Sequence, residues 1–174
     1  MHQPTARLYI FDADGTLRWT TVPGQPCPNW PGEWKLMPNV KEILSHMHWG
    51  PPGRLLGVAS NQGGVALGYL TAEMAYQLIE ATLVEAIGCV PPRTIIEMCV
   101  CPPDAHCECR KPNPGMLLRI MHRLDVDPEE TLYIGDLELD REAARRAGVA
   151  FMWAQDFFHW GVSVAGGTQS VPAY

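Results

Sequence analysis

Five short apolar runs, separated by stretches of helical period, set the strongest limit on how this chain can fold. The runs cover residues 7–12, 54–59, 94–100, 131–135 and 149–153. Each is short enough for a buried strand and empties into a polar or glycine-bearing turn. Between them, Val40, Ile43, Leu44 and Met47 recur at helical spacing over residues 39–49, before the stop at Gly50, Pro51 and Pro52. Residues 71–87 predict a longer amphipathic helix with Thr71 as its N-cap and Gly88 as its stop. Further helices are expected over residues 114–124, with Pro114 in a first helical position, and 137–147. Strands that alternate with helices lie parallel and are joined by right-handed crossovers. The expected architecture is therefore an α/β three-layer sandwich around a central, mostly parallel sheet. Residues 18–38 break the pattern with Pro23, Pro26, Pro28, Pro31 and Pro38, so a long loop without regular structure is expected there. Trp19, Trp30 and Trp34 argue that part of this loop is packed.

A chain of 174 residues, 47% of them hydrophobic, can bury one substantial core, which predicts a single domain over residues 1–160. Residues 161–174, rich in glycine at their start, are expected to form a flexible tail. The formal charge of -6 offers no footprint for nucleic acid or an anionic membrane and favours small-molecule partners. No apolar run approaches the roughly 20 residues of a membrane span, and residues 1–7 lack the apolar region of a signal peptide. The chain thus reads as soluble, cytoplasmic and monomeric.

Open parallel sheets bind ligands beyond the carboxyl ends of their strands, so the residues that end the strands carry the functional reading. The first strand ends in Asp12, Ala13, Asp14, Gly15, Thr16 and Leu17. The second ends in Ser60, Asn61 and Gln62, followed by Gly63 and Gly64, a hydroxyl, two amides and exposed backbone donors suited to phosphate oxygens. The fourth ends in Gly135 and Asp136, with Asp140 one helical turn later. Arg110 and Lys111 precede Pro112 and a helix start. Taken singly, each group reads as readily as an ordinary surface turn. Together they fall on one sheet edge and match the needs of phosphoryl transfer: a nucleophile, cations, an acid for the leaving oxygen, and donors for the equatorial oxygens. Mg2+ favours oxygen ligands, and Asp12, Asp136 and the backbone carbonyl of Asp14 form a suitable half-shell.

Cys99, Cys101, Cys107 and Cys109 lie within eleven residues, whereas Cys27 and Cys89 stand alone. Two thiolate pairs so close together suit tetrahedral Zn2+ better than a disulfide framework, with His106 as an alternative ligand. Such a zinc would be structural, stiffening the loop that presents Arg110 and Lys111. His46, His48 and His122 read as surface residues, and Met116 and Met121 as core fillers.

The succession DADGTL, SNQ, CRKP and GDLELD resembles the haloacid dehalogenase superfamily in content and order, spanning residues 12–140. The resemblance implies a Rossmann-like fold and a phosphatase that forms a phosphoaspartate on Asp12. Asp14 would serve as acid and then base, Ser60 as holder of the phosphoryl group, Lys111 as its neutralising cation, and Asp136 as the completing metal ligand. Asp140 matches a second acidic position of the superfamily. The stretch CECRKPNPGML is similar to the zinc-bearing branch that includes heptose 1,7-bisphosphate and histidinol-phosphate phosphatases. That branch usually pairs a Cys with a His where this chain has Cys99 and Cys101, and an Arg stands where Ala13 separates the aspartates. The segment CPNWPGEWKLMP, with Trp34, is similar to a region of polynucleotide 3'-phosphatases, the reading under which nucleic acid would be a partner. No segment between residues 17 and 38, or 61 and 91, is long enough for a large cap domain, so an open site is expected.

Overall fold

The computed structural model of the protein describes residues 6–161. The expected tail, apart from Gly161, lies outside the described residues. Five strands form one sheet: β1 (Leu8–Phe11), β4 (Leu55–Asn61), β5 (Ile95–Cys99), β6 (Thr131–Gly135) and β7 (Ala150–Trp153), in the order β5-β4-β1-β6-β7. Every pair in it is parallel. The helices are α1 (Val40–Leu44), α2 (Ala72–Ile87), α3 (Gly115–Leu124), α4 (Glu138–Ala147) and α5 (Ala154–Phe157). Among the described residues no helix is long and apolar enough to cross a membrane.

The three layers follow from side-chain alternation on β1. Tyr9 and Phe11 join a core with Val40, Leu44, Ile79, Leu83 and Phe157, from α1, α2 and α5. Leu8 and Ile10 join a second core with Met116, Ile120, Ala143 and Ala147, from α3 and α4. All four β1 side chains are buried, which explains the unbroken apolar run. Full burial of each such Leu, Ile or Phe contributes about 1.5–3 kcal/mol. Met116 and Met121 are buried as expected, and His46, His48 and His122 are exposed.

The expected caps of α2 form. Thr71 Oγ1 accepts the Met74 amide at 3.0 Å, and Gly88 closes the helix at φ 97°. Two expectations need correction. Residues 18–38 are not without regular structure, because β2 (Arg18–Thr20) and β3 (Trp34–Leu36) pair as an antiparallel ribbon. Three-residue strands are too short for their alternation to stand out against the prolines between them. Trp19 and Trp34 pack partly buried at this ribbon, while Trp30 stays 58% exposed. The helix expected over residues 39–49 stops at Leu44, and Trp49 folds back so that its indole N–H donates to the Leu44 carbonyl at 2.8 Å.

Candidate active site

The chain leaves β1 at the centre of the sheet, with β4 on one side and β6 on the other, so the loops beyond these strands converge. The Asp12 amide still donates to the Ile134 carbonyl at 2.9 Å, which brings Asp12 beside the end of β6. The turn after it is tight, with the Leu17 and Arg18 amides donating to the Ala13 carbonyl at 2.9 and 3.1 Å. Gly15 adopts φ +95°, and a Cβ there would lie 2.3 Å from Asp136 Oδ2. Only glycine satisfies both the left-handed backbone and this approach. Thr16, fully buried, donates to Asp136 Oδ1 at 3.1 Å.

Lys111 sits at the centre of the site, 4% exposed. Its ammonium lies 2.5 Å from Asp12 Oδ1 and 2.7 Å from Asp140 Oδ1, and it donates to the Ala59 carbonyl and the Tyr133 hydroxyl at 3.0 Å each. Tyr133 in turn donates to Asp140 Oδ1 at 2.9 Å. The backbone of Lys111 is clipped by Asn61, which accepts from its amide at 3.1 Å and donates to its carbonyl at 3.3 Å. Asp140 Oδ2 accepts the Leu137 and Asp136 amides at 3.0 and 3.3 Å, so it ties the start of α4 to the lysine.

The electrostatics leave room for a cation. Asp12, Asp136 and Asp140 bring carboxylate oxygens within 4.8 Å of one another. Burial pushes the Asp12 carboxyl well above its ordinary range, Lys111 opposes this, and the charges of Asp140 and Asp136 add to it. Burial and the charge of Asp140 likewise raise Asp136, against Thr16 and Lys111. Burial alone would favour neutral Lys111, but Asp12 and Asp140 outweigh it and hold the ammonium charged. Three carboxylates thus face one ammonium, a surplus of negative charge that suits an oxygen-ligated divalent ion at Asp12 and Asp136.

The residues expected on the phosphate side divide. Ser60, Asn61 and Arg110 line a cavity of about 770 Å³ together with Asp12, Asp14 and Lys111. Arg110 Nη1 is buried with no hydrogen-bond partner among the described residues, which leaves it free for a ligand oxygen. Gln62 differs from expectation. It is fully buried, and its amide N–H groups donate to Asp14 Oδ2 at 2.8 Å and Ser60 Oγ at 2.7 Å. Both donors are spent inside the protein, where the Gln62 backbone amide still donates to the Cys99 carbonyl at 2.8 Å. The expected open site is also partly walled. Residues 24–29 contribute Cys27 and Asn29, and Leu67, Tyr69 and Leu137 stand at the cavity with half or more of their surface exposed.

The four clustered cysteines converge as expected. Cys109 Sγ lies 3.2 Å from Cys99 Sγ and 3.4 Å from Cys107 Sγ; Cys99–Cys107 is 3.6 Å and Cys101–Cys109 is 3.8 Å. A tetrahedral zinc with Zn–S near 2.3 Å sets its sulfurs about 3.8 Å apart, so the donor set fits that ion after slight expansion. His106 is exposed and outside the cluster. The loop that bears them is closed by Asn113 Nδ2 on the Cys107 carbonyl at 2.7 Å and leads directly into Arg110 and Lys111.

Three functional neighbours escape a reading of the sequence: Arg18, Thr16 and Tyr133. Thr16 sat within the DADGTL motif without an assigned role. Nothing in the chain order marks Arg18 or Tyr133, which look like a loop cation and a strand aromatic.

Aspartates and a serine thus gather at the ends of the central strands of a parallel sheet, with a lysine brought to them by the loop after β5. Residues 94–154 match the family model of haloacid dehalogenase-like hydrolases. The chain is 31% identical over 147 residues to a D-glycero-beta-D-manno-heptose-1,7-bisphosphate 7-phosphatase of Pseudomonas putida, covering 82% of this chain and 78% of that protein. With the protein of the same name from Pseudomonas aeruginosa it shares 34% identity over 141 residues, 79% of this chain and 75% of the other. The crystal structure of D,D-heptose 1,7-bisphosphate phosphatase from Bordetella bronchiseptica, complexed with magnesium and phosphate, is similar with a TM-score of 0.69 and 30% identity. That likeness covers 83% of this chain and 78% of that one. The chain belongs to the haloacid dehalogenase-like hydrolases. Within them it is a phosphatase.

Proposed function

We propose that the protein hydrolyses phosphate monoesters of small sugars, of the kind represented by heptose 1,7-bisphosphate, with Mg2+ as cofactor and through a phosphoaspartate on Asp12. The observation that carries this reading is the buried Lys111 ammonium between Asp12 and Asp140 at the base of a cavity lined by Ser60 and Arg110. Its bisphosphate element rests on the similar relatives, whose names specify that substrate.

The chemistry follows from the positions. Lys111 draws the substrate phosphate toward Asp12 and offsets the repulsion between two anions. An Asp12 oxygen forms a bond to phosphorus as the bond to the leaving oxygen breaks, and Asp14 gives that oxygen its proton. Asp14 then takes a proton from water as the water oxygen attacks phosphorus, the Asp12–phosphorus bond breaks, and phosphate is released. Ser60, Asn61 and Arg110 bind the equatorial oxygens or a second phosphate, and Gln62 supports Ser60 and Asp14 from behind. Asp12, Asp136 and the Asp14 carbonyl would hold Mg2+, which would supply further charge neutralisation. The four cysteines would hold Zn2+, which would brace the loop that carries both cations.

The test is a substrate panel of heptose bisphosphate, histidinol phosphate and a 3'-phosphorylated oligonucleotide, run on the wild type and on Asp12→Asn. Mg2+-dependent phosphate release, highest for the sugar bisphosphate and abolished in D12N, is expected. Preference for the oligonucleotide would overturn the substrate class, and unchanged turnover in D12N would overturn the mechanism.

A further inference from the structure

Arg18 is the largest side chain buried to completion in the described protein, at the start of β2 and four residues beyond Asp14. A buried guanidinium is costly unless its donors are met. Here Nε donates to Asp14 Oδ1 at 2.7 Å and Nη2 to Asp14 Oδ2 at 3.4 Å. The far side of the group is fixed as well. Nη1 donates to Thr82 Oγ1 at 3.2 Å, and the buried Thr82 hydroxyl donates to the Leu78 carbonyl at 2.8 Å within α2. The arginine therefore runs from the first core layer to one carboxylate, pinned at both ends.

The two-point contact constrains the plane of the carboxyl group, which a single lysine bond would leave free to rotate. The Arg18 carbonyl also accepts the Gly15 amide at 2.7 Å, so backbone and side chain of the same residue hold the turn on which Asp14 rides. Asp14 itself lines the cavity and its side chain is 14% exposed, against none for Arg18. The arginine thus sits behind the acid, out of reach of substrate.

We propose that Arg18 is a positioning residue, a clamp anchored on Thr82 that holds the Asp14 carboxyl group facing the leaving-group oxygen. The inference rests on the reading of Asp14 as proton donor in phosphate ester cleavage. A clamp on the proton donor has a signature that a purely structural ion pair lacks. An alkoxide must be protonated as it leaves, whereas 4-nitrophenolate departs without help. The ratio kcat/KM covers the steps up to departure of the leaving group, and so excludes the later hydrolysis of the phosphoenzyme that both substrates share.

The experiment compares kcat/KM for a primary alkyl phosphate and for 4-nitrophenyl phosphate in the wild type, Arg18→Met, Arg18→Lys and Thr82→Val, all in the full chain with Mg2+. Arg18→Met is expected to lower the alkyl value by about 100-fold, a loss on the scale of general acid catalysis, while the nitrophenyl value falls far less. Lysine restores charge without the fork and should recover part of the loss. Thr82→Val removes only the anchor and should show the same selectivity in weaker form. Equal losses on both substrates in the variants that fold, or no loss in Thr82→Val and Arg18→Lys together, would overturn the clamp. Should Arg18→Met fail to fold, the other two variants decide by that criterion. A wild type that releases phosphate from neither ester, or an active D12N, would instead overturn the phosphatase mechanism and the clamp with it.

Discussion

Lys111 and Asp140 lie 2.7 Å apart with their side chains 2% and 1% exposed, and they reach this contact from separate parts of the chain. Asp140 spends its second oxygen on the first amides of α4. The pair therefore couples the cation-bearing loop to the helix that follows β6, and fixes where the ammonium meets Asp12. Asp140 thereby joins Asp12, the Ala59 carbonyl and Tyr133 in holding the lysine in place.

Replacement of Lys111 by methionine leaves Asp12 and Asp140 buried without their cation. Breaking a buried ion pair from one side costs about 3–5 kcal/mol. K111M is expected to lose phosphate release entirely and to unfold at markedly lower denaturant, measured by urea titration with far-UV circular dichroism. Wild-type stability would show that the pair is solvated in solution.

Tyr133→Phe removes one hydroxyl that links Lys111 to Asp140. Both partners keep other contacts, so the loss should sit near the lower end for a buried hydrogen bond, about 1–2 kcal/mol. Turnover should fall less than in K111M, because the ammonium retains Asp12 and Asp140. Steady-state kinetics alongside thermal unfolding separates the two effects, and a turnover equal to that of wild type would remove Tyr133 from the site.

Gly15→Ala places a methyl group against Asp136 and forces a left-handed backbone on alanine. The conformational part alone costs about 1–2 kcal/mol. Displacement of Asp136 by even an ångström should lower turnover on the order of 100-fold and raise the Mg2+ concentration needed for half-activity. A magnesium titration of the variant measures both.

Metal analysis of the purified protein should return about one equivalent of zinc, the content of a single tetrahedral four-cysteine site. Cys109→Ser, which takes away the sulfur nearest to two others, should lower zinc content and lower both kcat and kcat/KM, because the loop carries Arg110 and Lys111. Absence of zinc from the wild type would contradict the site.

Much of the site could be read from residue order alone. Asp12 and Asp136 directly follow strands whose apolar runs are unmistakable, Ser60 lies at the end of another, and the strand ends of a parallel sheet must share one edge. Gln62 shows the limit of that reasoning. It follows Ser60 and Asn61 directly, yet its side chain points into the protein rather than the cavity. The β2–β3 ribbon was equally hidden, since each strand is three residues long and gains its stability from pairing across the prolines.

What the sequence determined by itself is local: the strand and helix periods, the caps of α2, the glycine turn after Asp12 and the four-cysteine spacing. These depend on neighbours within a few residues, where backbone sterics and hydrogen bonding dictate the outcome. Only the tertiary structure decided which charges meet. Arg18 finds Thr82 across 64 residues, and Thr16 finds Asp136 across 120. A buried charge takes the partner that the packed layers bring within reach, and that choice exists only once the sheet has placed its loops side by side.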